Sequence, residues 1–506
     1  MRCRAVLLLA GCLAVTPLAA QSTAPAWTYT SSDSILSFEV TSVGSAAIRT
    51  VSSFSIVDMT TGVALWSRPS WRGGGRLPSL APFVLFGDSV LDVVDLQSGT
   101  SPWSLDGAPT TDLRYITYIP ELDLVLTSGA RGDSVVVTAI GGDSGDVRWQ
   151  RADWFATLLS QPARTGIVIA TQPPLVDSDS TIVLYPALGG PIRIDVRSGR
   201  ILWRAVGLAE RDVPNVRATH VKMLAHAGRI VVPIERGLAA IDQTSGDVLW
   251  DSSNLYLVPL GQLVATLGGL VVAGGGLKPF IDVVSLASGR SQWPKAFTKR
   301  GTATPFVVSG ELIFVAYNYD LLEFAVASGA RRDVLKLPLS GEERPRWLES
   351  RDFGILVSSD QSLMLVDGSG NVRFHSYYPA PGPSSFAWMA RIALMAAVNS
   401  LTGSWAQATA NRTGQTVVYP IILVNPFLGA RHRSTVAAQD VHILFAHDER
   451  GPQQQRFSFV RLDKRTGRPT GRVWIDDETI TWYVDPPSGT VLVQTGKTTL
   501  SALRFP

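Results

Sequence analysis

Short apolar stretches alternating with polar residues run along nearly the whole chain, each bounded by glycine, proline, serine or aspartate. Gly228-Arg-Ile-Val-Val-Pro-Ile234 and Gly237-Leu-Ala-Ala-Ile-Asp242 are typical, and read as consecutive strands of one hairpin. Helical periodicity is nearly absent, and only residues 386–398 are undecided between helix and strand. The pattern predicts an all-β protein built from many short strands.

One unit recurs: an alternating stretch, an Asp, Ser/Thr-Gly, then Trp four positions after the Gly. It reads Asp58 to Gly62 with Trp66, Asp95 to Gly99 with Trp103, Gly145 with Trp149, Asp195 to Gly199 with Trp203, Asp242 to Gly246 with Trp250, and Gly289 with Trp293. Weaker copies follow at Gly329, at Gly370 with Phe374 in the Trp slot, at Gly429, and at Asp463 to Gly467 with Trp474 displaced. Steps of 37, 46, 54, 47, 43, 40 and 41 residues separate the glycines from Gly62 to Gly370. A period of this size, holding about four strands, predicts propeller blades rather than a solenoid.

Each residue type has a mechanical reason. Glycine supplies positive φ for the tight turn. The Asp and Ser/Thr hold turn N–H groups. The Trp ring fills the wedge between neighbouring units. The strand at residues 498–505 stops where a Ser-Gly turn would follow, and a strand near Trp27-Thr-Tyr29 is placed to complete that sheet and remove its open edge. A closed propeller is therefore expected, with eight blades and a range of eight to eleven, since residues 371–460 carry degenerate repeats.

Composition narrows the class. Hydrophobic residues make up 45% and charged ones 17% of the 506 residues, which excludes a disordered chain. A formal charge of +3 gives no electrostatic footprint for nucleic acid. No apolar run is long enough to predict a transmembrane helix. Met1-Arg-Cys-Arg4, an apolar run and Leu18-Ala19-Ala20 have the layout of a secretory signal peptide, so residues 1–20 are expected to be removed and 21–506 to form the propeller. Both cysteines, Cys3 and Cys12, lie in that segment. Leu9-Ala10-Gly11-Cys12 resembles a bacterial lipobox, which would make Cys12 a lipid attachment site, although the apolar run continues past it. Either reading sends the protein out of the cytoplasm: to the periplasm, to the outer membrane, or into the medium.

The unit Asp-x-x-Ser/Thr-Gly-x-x-x-Trp resembles the repeat of the quinoprotein-type, PQQ-like β-propellers, with good matches from Asp58 to Trp293 and eroded ones afterwards. Two branches share it. The resemblance implies either a quinoprotein dehydrogenase holding pyrroloquinoline quinone and calcium, or a relative of the non-catalytic outer-membrane assembly factor B. A mature chain without cysteine cannot build the adjacent-cysteine disulfide common in the dehydrogenases, and no Cys-x-x-Cys-His haem site is present. The reading is a non-catalytic envelope scaffold that binds other envelope proteins, with no cofactor. The alternatives are a PQQ- and calcium-dependent oxidoreductase, and a propeller binding a glycan or other small ligand through Trp71, Trp154, Trp388 and Trp405, which lie outside the repeat slot.

Other constellations read as structural. His442 and His447, near Asp448-Glu449, have strand rather than helix surroundings, and His220 and His226 are similar. Asp177-Ser-Asp179-Ser-Thr181 lacks the glycine and terminal glutamate of a calcium loop, Leu188 standing in the last place. Asp476-Asp477-Glu478 reads as an exposed turn. Gly73 to Gly75 and Gly274 to Gly276 precede no phosphate-loop lysine. Arg461, Lys464, Arg465, Arg468 and Arg472 form the densest basic stretch, expected on a solvated turn, with an acidic partner or anionic lipid as its functional alternative.

Overall fold

The computed structural model describes residues 24–41, 43–69, 79–80, 82–86, 92–104, 113–131, 134–154, 173–186, 189–208, 222–234, 237–252, 260–274, 278–339, 343–359, 361–379, 422–423, 440–447, 457–475, 481–485 and 488–505. Ten antiparallel sheets follow one another around a closed ring. Blade 1 shows the plan, with strands Ile35–Val40, Ser45–Thr50, Ser53–Asp58 and Ala64–Pro69 hydrogen-bonded in chain order. Its two middle strands are buried, its first is half-buried toward the ring centre, and its last is largely exposed on the rim. This gradient explains the sequence pattern: middle strands packed on both faces read as continuous apolar runs, and only the outer positions alternate.

Blades 2 to 8 occupy residues 79–104, 113–151, 175–204, 224–251, 260–298, 307–336 and 345–377. Blade 9 contributes Val441–His447, Phe457–Asp463 and Pro469–Ile475. These correspond to the second, third and fourth strands, because Lys464 N–H reaches back to the Asp440 carbonyl as Val196 does to Ser180 in blade 4. Blade 10 comprises Thr481–Asp485, Thr490–Gln494 and Thr499–Leu503, closed by Trp27–Thr30 in the register Trp27 to Ala502. A short parallel pairing of Ile422–Leu423 adds to the inner edge of blade 3 at Tyr115 and Ile116.

The ring has ten blades, not eight. The weakly matching copies at Gly329, Gly370 and Gly467 each close a blade of their own, and blade 10 needs no turn because its outer strand comes from residues 27–30. Erosion of the motif marks a change of wedge filling, described below, rather than loss of a blade. The copy at Gly429 and the stretch 386–398 lie outside the described residues, as do residues 1–20 with Cys12.

Ten apolar clusters sit one at each junction, among them Ile56 with Val94 between blades 1 and 2, Val183 with Val232 between blades 4 and 5, and Trp27 with Val57 between blades 10 and 1. The core is thus a circle of wedges, and each blade is held by its two neighbours.

Candidate functional site: the inter-blade clamps and the turn face

The hairpin between third and fourth strands carries the repeat motif. In blade 1 the Asp58 carboxylate accepts hydrogen bonds from the N–H groups of Thr60 (2.8 Å) and Thr61 (2.7 Å) and from the Thr61 hydroxyl (2.9 Å). Gly62, at φ +74°, closes the turn by donating its N–H to the Asp58 carbonyl. The same oxygen does this work in Asp95, Asp195, Asp242 and Asp463. These donors favour the ionised carboxyl, holding Asp58 and Asp242 below the usual range chiefly through the Thr61 and Ser245 N–H groups, and Asp195 through the Ser198 hydroxyl. The turns at Gly145, Gly289 and Gly329 have Gly141, Ser285 and Ala325 in the Asp place, so they lack its carboxylate but keep the backbone bond of the motif glycine.

The fourth strand then makes a bulge, which sequence spacing alone does not reveal. In blade 4 Arg193 pairs with Trp203 but Ile194 pairs with Ile201, so Leu202 is the extra residue. Leu65 and Leu249 are extra in the same way. This turns the Trp inward and the residue before it outward, so Leu65, Leu202 and Leu249 stand 39–47% exposed on the rim.

Each Trp reaches the next blade. Trp66, Trp103, Trp149, Trp203, Trp250 and Trp293 donate Nε1–H to the carbonyls of Leu96, Gly142, Val196, Gln243, Leu286 and Val326, at 2.6–3.0 Å. Trp27, which the repeat search did not place in this slot, does the same to Met59 at 2.9 Å. Each ring lies on the motif glycine of that next turn. A Cβ on Gly246 would stand 2.7 Å from the Trp203 ring, and one on Gly62 2.6 Å from that of Trp27. The glycine therefore serves twice, for positive φ and for close approach. Arginines add second donors to the same turns: Arg193 to Gln243, Arg229 to Leu286 and Arg504 to Met59 share the carbonyl with the indole, and Arg68 bonds Gly99 at 2.7 Å.

The eroded copies fill the wedge differently. Val334 lies against Gly370, and Phe374 against Gly467. In blade 9 the slot opposite Arg461 holds Gly471, so Trp474 is no displaced slot residue; it stacks on Arg472, whose guanidinium also lies 5.6 Å from the Tyr378 ring.

A family profile described as outer membrane protein assembly factor BamB matches residues 87–253 and 132–373, together more than half of the chain. The chain belongs to this BamB family. Among solved structures, the crystal structure of BamB from Moraxella catarrhalis is 17% identical, with a TM-score of 0.35 over 58% of this chain and 83% of that one. The computationally designed Ika8 protein is 13% identical, with a TM-score of 0.36 over 68% of this chain and 96% of that one. No curated protein matches the chain.

The polar groups singled out in the sequence of this BamB-family protein are placed as follows. The basic stretch divides: Arg465 and Arg468 are exposed on the turn, as expected, and Lys464 is not. Lys464 is 3% exposed and bonds Glu349 at 2.9 Å, with Arg351 on the other Glu349 oxygen. Arg465 pairs with Asp352 and lies over Phe353, and Arg461 lies over Phe505. His442 faces this cluster with Nε2 enclosed, and burial beside Lys464 pushes its pKa down to about 4. His447 lies on the other side of the same strand, against the Phe457 ring, so the two histidines do not converge. Asp177 is in a hairpin of blade 4, paired with Arg193 at 2.8 Å. Among the described residues no group of three or more His, Cys, Asp or Glu side chains is placed to hold a metal ion. Trp154 is not a free platform: it is 2% exposed and donates to the Gly199 carbonyl. Trp71, Trp388, Trp405, His220, Asp448-Glu449, Leu188, the 476–478 acidic run and Gly73 to Gly75 lie outside the described residues.

Proposed function

We propose that this protein is a non-catalytic scaffold of the cell envelope, docking other envelope proteins in the service of outer-membrane protein assembly. The observation that carries the reading is family membership over residues 87–373. The physical chemistry of the ring supports it. The motif carboxylates are engaged in their own turns, and the clamp arginines and indoles bond carbonyls of the neighbouring blade. A ring closed in this way holds its described hairpin turns in place, so docking on them costs little conformational entropy. Residues 1–20 serve as the export signal in this reading, with acylation of Cys12 as the variant that would tether the ring to a membrane. No helix among the described residues is long and apolar enough to cross a membrane.

The test is a cross-linked pull-down of the tagged full chain from its native envelope, with captured proteins identified by mass spectrometry. β-Barrel assembly components are expected. Their reproducible absence would overturn the assembly role, and dye-linked alcohol oxidation after addition of pyrroloquinoline quinone and calcium would overturn the non-catalytic one.

A further inference from the structure

Nine turns of the ring receive a side chain from the preceding blade, and the junction between blades 9 and 10 has neither partner. Gly471 occupies the tryptophan slot of blade 9, and blade 10 has no motif turn because Trp27–Thr30 supplies its outer strand. Two residues just past Leu503 tie blade 10 to both neighbours, and the second of them fills the place opposite Gly471. Phe505 turns back onto blade 9: a Cβ on Gly471 would stand 2.9 Å from Phe505 Cβ and 3.2 Å from its Cδ1, and the Arg461 guanidinium lies 5.3 Å from the ring centre. Arg504 turns the other way, its Nη2 donating to the carbonyls of Met59 (3.1 Å) and Thr60 (3.3 Å) in the turn of blade 1. Neighbouring residues of an extended segment point to opposite faces, so one dipeptide touches both neighbours of blade 10.

We propose that Arg504–Phe505 is a two-sided staple that locks blade 10 between blades 9 and 1. Phe505 replaces the missing repeat tryptophan with the direction of insertion reversed. Arg504 is the second donor beside Trp27 on the Met59 carbonyl, the role Arg193 and Arg229 have elsewhere. The inference is independent of the scaffold reading.

Hydrogen exchange of the full chain, resolved by strand, tests it. Phe505→Ala is expected to speed exchange roughly tenfold in Pro469–Ile475 and Thr481–Asp485, as for a locally loosened unit. Arg504→Ala is expected to act on Trp27–Thr30 and residues 58–63 instead, and neither should change Arg229–Ile234 on the far side of the ring. Phe505→Leu and Arg504→Lys, milder variants that secure a folded sample, should give the same two localised patterns at smaller size. Gly471→Ala adds a second reading: it should loosen blade 9 in the wild type and have no effect beside Phe505→Gly, since the clash is with Cβ and Cδ1 of Phe505. Exchange that rises evenly around the ring, or not at all, would overturn the staple, as would additive effects of Gly471→Ala and Phe505→Gly.

Discussion

Gly246 and Gly228 offer a controlled comparison of what the motif glycine does. Both have left-handed backbone, at φ +80° and +72°. A Cβ on Gly228 would meet nothing within 4 Å, whereas one on Gly246 would lie 2.7 Å from two ring atoms of Trp203. That ring cannot readily yield, being buried and bonded to the Gln243 carbonyl at 3.0 Å. Gly228→Ala should therefore cost only the left-handed strain of an L-residue, about 1–2 kcal/mol. Gly246→Ala should add overpacking of about 1–3 kcal/mol, for a total of about 2–5 kcal/mol. Trp203 Cβ would stand 2.8 Å away as well, so removing the whole side chain should remove the excess, and in a Trp203→Gly background Gly246→Ala falls back to about 1–2 kcal/mol. A ring of this size need not unfold in one step, so native-state hydrogen exchange over 229–251 should accompany urea titration. Equal costs for the two alanines, or additivity of Trp203→Gly with Gly246→Ala, would show that the wedge contact is not what constrains the position.

Other consequences are more briefly put. Trp203→Ala or Trp250→Ala should each lose about 3–5 kcal/mol, as buried aromatics do, and wild-type-like urea and thermal unfolding would contradict their place in the wedges. His442 is neutral in the fold down to about pH 4 but takes up a proton near pH 6.5 when unfolded. Its contribution to stability is therefore full above pH 6.5 and declines as the pH falls toward 4, by about 3 kcal/mol in all. Unfolding titrations of wild type and His442→Asn across that window should differ in slope, and parallel curves would refute the assignment. Lys464→Ala removes one of two cations from Glu349 inside the wedge and should cost about 3 kcal/mol, more than an exposed pair would. A loss under about 1 kcal/mol, the value of surface pairs, would mean that water reaches the site.

The architecture was legible in the sequence because one physical requirement, filling a wedge with a large ring over a glycine, recurs with a fixed spacing. Trp203 and Gly246 are 43 residues apart in the chain, yet both stand out as members of the same motif. The count was less legible. At the later junctions Val334, Phe374 and the Gly471–Phe505 pair fill the same space with other residue types, and no local pattern links Phe505 to Gly471. The bulge was also hidden, although the exposed leucines before Trp66, Trp203 and Trp250 are its trace. Charge misled at one residue: Arg465 and Arg468 are exposed on their turn as expected, but Lys464 points into the wedge between blades 8 and 9, where Glu349 from a different blade meets it.

Arginine outnumbers lysine 38 to 7, and six of the described arginines show one use for it in the same wedges. A third-strand or hairpin side chain must reach a carbonyl already bonded to an indole, in a gap shaped by flat rings. A planar guanidinium with several N–H donors can approach such an oxygen edge-on and lie against an aromatic face, whereas an ammonium is a compact, strongly hydrated charge. Arg193, Arg229 and Arg504 use the first property, and Arg461, Arg465 and Arg472 the second. These six arginines thus belong to the closure of the ring, and a docking surface is better sought among side chains that no neighbouring blade engages.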